Sequence, residues 1–245
     1  MYTLKFNPKP VVFLWLTAAV SCLDNSDDLS LYNRETNNSL TNIEMKENFI
    51  SPENSLNPYD SVGISHNELL QDFLDSSAVP EDIPEVVEMV NSLDVFDNAI
   101  DLNSFSSISE LNLIQQILDS PEQEFNQILT ASLLSNQAKD SMISLLTYID
   151  SNSTDPYQSL HLYIVGFEDQ IINDNLLDTY DKKTVLCFTS FVRHNLYFCK
   201  KKEEDDDTDW DDSTASRTAA LMGALTGPED TVYWSLILGI SHNFL

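Results

Sequence analysis

The sequence predicts an all-α domain that follows a polar N-terminal segment. Glycine is scarce, with 5 residues in 245, while leucine, isoleucine, asparagine, aspartate and serine are abundant. This composition favours helices joined by polar turns over a glycine-rich β-sandwich. Apolar residues also recur at helical spacing over most of the chain after residue 64. Capping boxes, in which Ser is followed three residues later by Glu or Gln, precede three of these stretches, at Ser65, Ser107 and Ser120.

Composition and charge limit the classes of partner. An apolar fraction of 42% in 245 residues is enough for one main hydrophobic core. The chain has 12 Lys and Arg against 40 Asp and Glu, which gives a formal net charge of −28. Nucleic acid is therefore excluded as an expected partner, because phosphate binding needs a basic surface. A basic protein partner suits this charge.

The first 21 residues have the organisation of a signal peptide. Lys5 and Lys9 precede a run at positions 11–20 that is apolar except for Thr17. As a helix this run would span about 15 Å, half of a bilayer, so it fits a signal-peptide core and not a transmembrane anchor. Ala19-Val20-Ser21 supplies a cleavage site for a signal peptidase, and Cys22 follows at once.

The segment Leu16-Thr17-Ala18-Ala19-Val20-Ser21-Cys22 resembles the lipobox of a bacterial lipoprotein. The resemblance implies that Cys22 carries a diacylglycerol thioether and an acyl chain, which together hold a protein on a membrane. The following residues 23–28 resemble the acidic export tag of lipoproteins that Bacteroidetes display on the outer-membrane surface. Two alternatives stay open: ordinary cleavage after Ser21 with no lipid, and Asp27 and Asp28 as the start of a solvated tether.

Residues 22–63 are predicted to form a flexible tether, and residues 64–245 the helical domain. The tether is rich in Asn, Ser, Asp and Glu, contains Pro52 and Pro58, and has no sustained apolar period. Such a segment buries too little apolar surface to offset the entropy of ordering it.

The helices of the domain are predicted in order along the chain. The first begins at Ser65, the second covers residues 84–93, and an ordered connection covers residues 94–106. Helices then begin at Ser107 and Ser120, and apolar residues at helical spacing continue to Asp150. A further helix begins at Asp155-Pro156. A helix from about Asp181 is apolar almost all round, which predicts the central core helix. It ends in Lys200-Lys201-Lys202, where the helix dipole favours cations.

The C-terminal part is predicted as an acidic loop, residues 202–213, and a helical hairpin, residues 214–245. Gly227-Pro228 breaks the hairpin, small residues line its first helix, and its second helix covers residues 232–240. That second helix would span about 13 Å, less than half of the hydrocarbon core of a bilayer. We therefore expect the hairpin to pack into the domain.

Motifs that carry chemistry are absent from the sequence: it has no phosphate-binding glycine loop, nucleophile elbow, HExxH or paired CxxC. No catalytic residue and no cofactor is therefore predicted. Cys187 and Cys199 would be about 18 Å apart on one helix, too far for a disulfide, and are read as buried thiols. The weak metal candidates Asp205, Asp207 and Asp209 have calcium-loop spacing. Trp210 and Ser216 stand where that loop requires Gly and Glu, so no metal site is predicted.

The sequence thus predicts a lipid-anchored cell-envelope protein that acts as a non-catalytic interaction or structural module. One alternative is a secreted, membrane-active or toxin-like protein that inserts residues 218–245 into a target membrane. Another is an enzyme whose site is assembled only by the fold. That enzyme would need a pocket that gathers two or more of the scattered residues His66, His161, His194 and His242 with carboxylates. The oligomeric state is left open.

Overall fold

The computed structural model describes residues 50–76, 79–93, 108–204 and 210–245. These residues form nine α-helices and contain no β-strand, so the predicted all-α fold class is confirmed. The helices are α1 Ser61–Asp75, α2 Ile83–Asn91, α3 Ile108–Asp119, α4 Pro121–Ala131, α5 Asn136–Ser151, α6 Tyr157–Asn173, α7 Thr179–Glu204, α8 Thr214–Ala224 and α9 Pro228–Phe244.

Helix α7 is the centre of the domain. It is 26 residues long, and every residue at positions 184–196 is buried. Helices α1, α5, α6, α8 and α9 all contact it. The sequence predicted this role from the apolar residues around the helix. It did not predict that seven polar residues of α7 would also be buried: Asp181, Thr184, Thr189, Ser190, Arg193, His194 and Asn195.

Helices α8 and α9 form the predicted C-terminal hairpin and pack more extensively on each other than any other pair. A Cβ atom at Gly223 would lie 2.2 Å from the carbonyl oxygen of Asp230, so the absence of a side chain allows this close approach. Pro228 begins α9, which is longer than the predicted residues 232–240. Residues 231–241 are all buried, so the hairpin packs into the domain. Within the described ranges, no helix is long and apolar enough to cross a membrane.

The predicted helix starts are partly wrong. Helix α1 begins at Ser61, so Ser65 lies inside it and does not cap it. Ser120 does precede α4, with Pro121 at the first helical position, but its side chain makes no capping hydrogen bond. Ser107 lies outside the described residues. Side-chain caps are formed at α2, α5 and α8 by Asp82, Ser135 and Ser213.

The folded unit begins earlier than predicted. Residues 50–60, here called the strap, run into α1 and were assigned with the rest of residues 22–63 to the tether. That assignment is wrong for residues 50–63, because Asn54, Asn57, Val62 and Gly63 are buried in the domain. The strap is held by hydrogen bonds of its polar side chains, while Ile50 and Tyr59 are partly buried against the core. Residues 22–49, including Cys22, lie outside the described residues.

Candidate functional site: a buried ionic cluster and two open pockets

Polar side chains from the strap, α6 and α7 meet inside the domain around Arg193. This Arg193 cluster comprises Asn54, Asn57, Asp60, Glu168, Thr189, Ser190, Arg193 and His194. The side chain of Arg193 is completely buried, with Nη2 2.5 Å from Asp60 Oδ1 and Nε 3.3 Å from Glu168 Oε2. A buried guanidinium needs such partners, because an unpaired charge inside a protein is strongly destabilising.

Glu168 is also fully buried and has a complete set of donors. Its carboxylate accepts hydrogen bonds from Asn54 Nδ2 at 2.6 Å, Asn57 Nδ2 at 2.8 Å and Thr189 Oγ1 at 2.9 Å. Together with Arg193, these donors replace the water that the carboxylate loses on burial. Two of them come from the strap, which explains why this polar segment is ordered against the core.

Asp60 connects the end of the strap to α7. Its carboxylate accepts hydrogen bonds from Arg193 and from the backbone amide of Asn54, and it lies 3.2 Å from His194 Nε2. Burial acts to raise the pKa of Asp60. The hydrogen bonds with His194 and Arg193, the charge of Arg193 and the amide of Asn54 outweigh burial and lower this pKa to about 2.

Three of the four histidines lie in this part of the domain. Only His194 contacts a carboxylate of the cluster, that of Asp60. The ring of His66 packs edge-on against Phe191 with centroids 4.8 Å apart, and burial lowers its pKa to about 4. His161 lies beside Tyr157, and burial is the main cause of its lowered pKa. The fourth, His242, is exposed at the end of α9.

A second polar centre surrounds Arg217 and opens to solvent. In this Arg217 pocket, of about 460 Å³, the guanidinium contacts Asp212 and lies 2.7 Å from Asp150 Oδ1. Asn195 donates to Asp212 Oδ1 at 2.7 Å. Cys199 lines the pocket, and burial followed by the charge of Asp212 raises the pKa of its thiol well above the usual value. The thiol is therefore protonated and a poor nucleophile at neutral pH.

A third feature is the α1–α7 groove, an open pocket of about 480 Å³ between α1 and α7. The α1 wall is lined by Asn67, Glu68, Gln71 and Asp72. The α7 wall is lined by Tyr197, Phe198, Lys201 and Lys202. None of the eight residues of the Arg193 cluster lines this groove or the Arg217 pocket. The ionic cluster and the open surfaces are thus separate parts of the molecule.

Metal and thiol chemistry find little support in the described part of the chain. No group of three or more His, Cys, Asp or Glu residues there is placed to hold a metal ion. Asp205, Asp207 and Asp209 lie outside the described residues, so the calcium-loop interpretation stays untested. Cys187 and Cys199 are both buried, free thiols on α7. They do not pair with each other, as their spacing predicted.

In the sequence, polar residues inside an otherwise apolar helix are the one sign of the Arg193 cluster. Asp60 and Glu168 are 133 and 25 residues away from Arg193 along the chain, so no local motif joins them. Comparison with known proteins adds no further signal, because no protein-family model, curated protein sequence or solved structure matches the chain.

Proposed function

We propose that the protein is a lipid-anchored module of a bacterial cell envelope, attached through acylated Cys22, which binds a basic protein partner and is not catalytic. The leader and lipobox-like residues before Cys22 support the anchoring. The described fold begins at Ile50, so about 28 residues separate it from the proposed lipid. A chain of that length can hold the domain clear of the membrane surface.

The observation that carries the binding role is that many positively charged side chains are engaged within the domain instead of facing solvent. Arg193 and Arg217 are buried in ion pairs. Three lysines donate to carbonyl oxygens that helices leave without partners at their ends: Lys139 beside α4, Lys182 beside α6 and Lys183 beside α8. Most of the described carboxylates stay outside, with Glu168 and Asp181 as buried exceptions. This leaves an acidic surface that attracts a basic protein and repels other anions.

The buried cluster supports a structural role and not a catalytic one. The fold does bring His194 close to a carboxylate, which the enzyme alternative requires. However, Asp60 is engaged by Arg193, and the cluster lines neither open pocket. A general base needs a proton within hydrogen-bond reach on a bound substrate. The membrane-active alternative would require α9 to leave the core, in which residues 231–241 are buried.

Membrane fractionation tests the anchor. Cys22→Ala should move the protein from the membrane to the soluble fraction, whereas the control Cys199→Ala should leave it membrane-bound. The intact mass of the wild-type protein extracted with detergent should show acyl chains. A membrane-bound Cys22→Ala protein, or a wild-type mass without lipid, contradicts the proposal.

Cross-linking tests the partner. A zero-length carbodiimide joins a surface carboxylate only to an amine in direct contact, so in intact membranes it should link the protein to a lysine-rich partner. Because the contact is between exposed charges, the cross-linked product should decrease as ionic strength rises. A product that is insensitive to salt, or whose partner is acidic, contradicts the proposed binding role.

A further inference from the structure

The two walls of the α1–α7 groove carry opposite charges. Glu68 and Asp72 are exposed carboxylates on the α1 wall. Lys201 and Lys202 line the α7 wall beyond the rings of Tyr197 and Phe198. Lysines and carboxylates also meet at the Arg217 pocket, where Lys200 pairs with Glu203 at 3.2 Å. In the α1–α7 groove they lie on opposite walls.

Lys201 on the α7 wall is not neutralised by the carboxylates of the α1 wall. Among the described residues, no ion pair joins Glu68 or Asp72 to Lys201. The ammonium of Lys201 lies 5.9 Å from the centroid of the Tyr197 ring, which places it over the aromatic part of the groove. An opening with a negative wall and a positive wall attracts a ligand that brings both signs of charge.

The packing of α1 on α7 explains why the groove is open. The helices touch at Gly63, where a Cβ atom would lie 2.5 Å from the carbonyl oxygen of Ser190. One turn later, Asn67 Nδ2 donates to the carbonyl oxygen of His194 at 2.8 Å and fixes the spacing of the two helices. The groove begins at this contact between the two helices, at Asn67. Its walls are therefore built on helices and not on mobile loops.

We propose that the α1–α7 groove binds a short segment of a partner protein in which an apolar side chain stands between a basic and an acidic residue. The basic residue would face Glu68 and Asp72, the apolar side chain would lie against Tyr197, and the acidic residue would face Lys201. A volume of about 480 Å³ is in the usual range for ligand sites and suits about three residues. This inference rests on the proposed binding role and gives the partner a local chemistry, but it does not depend on lipid anchoring.

Other ligand chemistries fit the groove less well. A phosphate or another anion attracted to Lys201 would also meet the carboxylates of the α1 wall. A wholly basic segment attracted to Glu68 and Asp72 would meet the lysines opposite. A neutral sugar could stack on Tyr197 and form hydrogen bonds with both walls, but it carries no charge for Lys201 or for the carboxylates to pair with.

Nuclear magnetic resonance titration of the full chain in detergent tests the inference with three capped tripeptides. The reference probe is acetyl-Lys-Phe-Glu-amide, and the two others replace its Lys or its Glu with Gln. We expect the reference to bind best, with shift changes at groove residues, and each Gln peptide to bind about threefold more weakly, the size typical of one exposed charge pair.

Variants assign each charge to a wall. The double variant Glu68→Gln, Asp72→Asn should bind the reference peptide about threefold more weakly and bind the peptide without Lys as the wild type does. Lys201→Gln should show the same pattern with the peptide that lacks Glu. Glu88→Gln, an exposed carboxylate on α2 outside the groove, is the matched control and should change nothing. Circular dichroism checks that each variant is folded.

Equal affinity for all three peptides, binding of inorganic phosphate at the same residues, or no shift change in the groove would overturn the assignment. The Cys22→Ala chain separates this proposal from the anchor: it should bind the reference peptide normally after its release from the membrane. If the peptide fails to bind while carbodiimide still links a lysine-rich partner, only the groove assignment is wrong.

Discussion

Buried Arg193 on α7 and partly buried Asp60 at the end of the strap form an ion pair, with Nη2 and Oδ1 2.5 Å apart. The same guanidinium contacts Glu168 on α6, so a single side chain links three parts of the fold. Two carboxylates depend on its charge: Asp60 is partly exposed, and Glu168 is entirely removed from solvent. The stability of the domain should therefore respond sharply to changes at this position.

Arg193→Met should lower the free energy of unfolding by about 3 to 5 kcal/mol, because it leaves the fully buried Glu168 and the partly buried Asp60 without a cation. Urea denaturation followed by circular dichroism measures the change. Lys201→Met, on an exposed lysine of the same helix, is the control and should alter stability by less than about 0.5 kcal/mol. An Arg193→Met protein as stable as the control would show that the cluster is not held by its charges.

Stability should fall as the pH decreases from about 7 to 4. Burial lowers the pKa of His66 to about 4 in the folded chain, while the unfolded chain takes up a proton near pH 6.5. Its contribution is therefore complete above pH 6.5 and is lost toward pH 4, by an amount on the order of 3 kcal/mol. Urea denaturation at several pH values should show a flatter dependence for His66→Gln than for the control His242→Gln. Equal pH dependence of the two variants would contradict this expectation.

Two glycines give opposite expectations for the same substitution. Gly63→Ala places a methyl group 2.4 Å from the His194 ring and 2.5 Å from a backbone oxygen, so it should destabilise the domain by about 1 to 3 kcal/mol. Gly166→Ala adds a methyl group on an exposed face of α6, where nothing lies within 4 Å. It should stabilise the domain by up to about 1 kcal/mol through helix propensity. Thermal melts compare the two variants, and a shift of the same sign would refute the packing of α1 on α7.

Removal of α9 should abolish cooperative folding. A chain truncated after Thr226 lacks the buried residues 231–241 and exposes the apolar face of α8. The control, truncated after Phe244, lacks only Leu245, whose side chain is half exposed. We expect the control to melt like the wild type and the longer truncation to show no sharp transition. A truncated chain that melts like the wild type would favour the membrane-active hypothesis, because α9 would then not be needed for the fold.

The parts of the fold that the sequence predicted are those set by local spacing. The apolar residues around α7 identified the core helix, and Gly227-Pro228 with the preceding small residues identified the hairpin. The Arg193 cluster could not be predicted, because its strap residues and α7 are more than 100 residues apart and meet through side-chain geometry alone. The strap was mistaken for tether for the same reason: buried Asn54 and Asn57 have the composition of a solvated segment. The capping box at Ser65 misled because the sequence pattern fits a position inside a helix equally well.

The strap also determines how the domain would respond to mechanical load. Tension applied through the preceding chain reaches Asn54, Asn57 and Asp60 before it reaches the first turn of α1. These side chains are fastened to α6 and α7, so the load enters the middle of the domain and not the end of a peripheral helix. Several contacts with Glu168 and Arg193 would then have to break together before α1 could unwind. A domain held in this way is suited to staying folded while its N-terminal end is pulled.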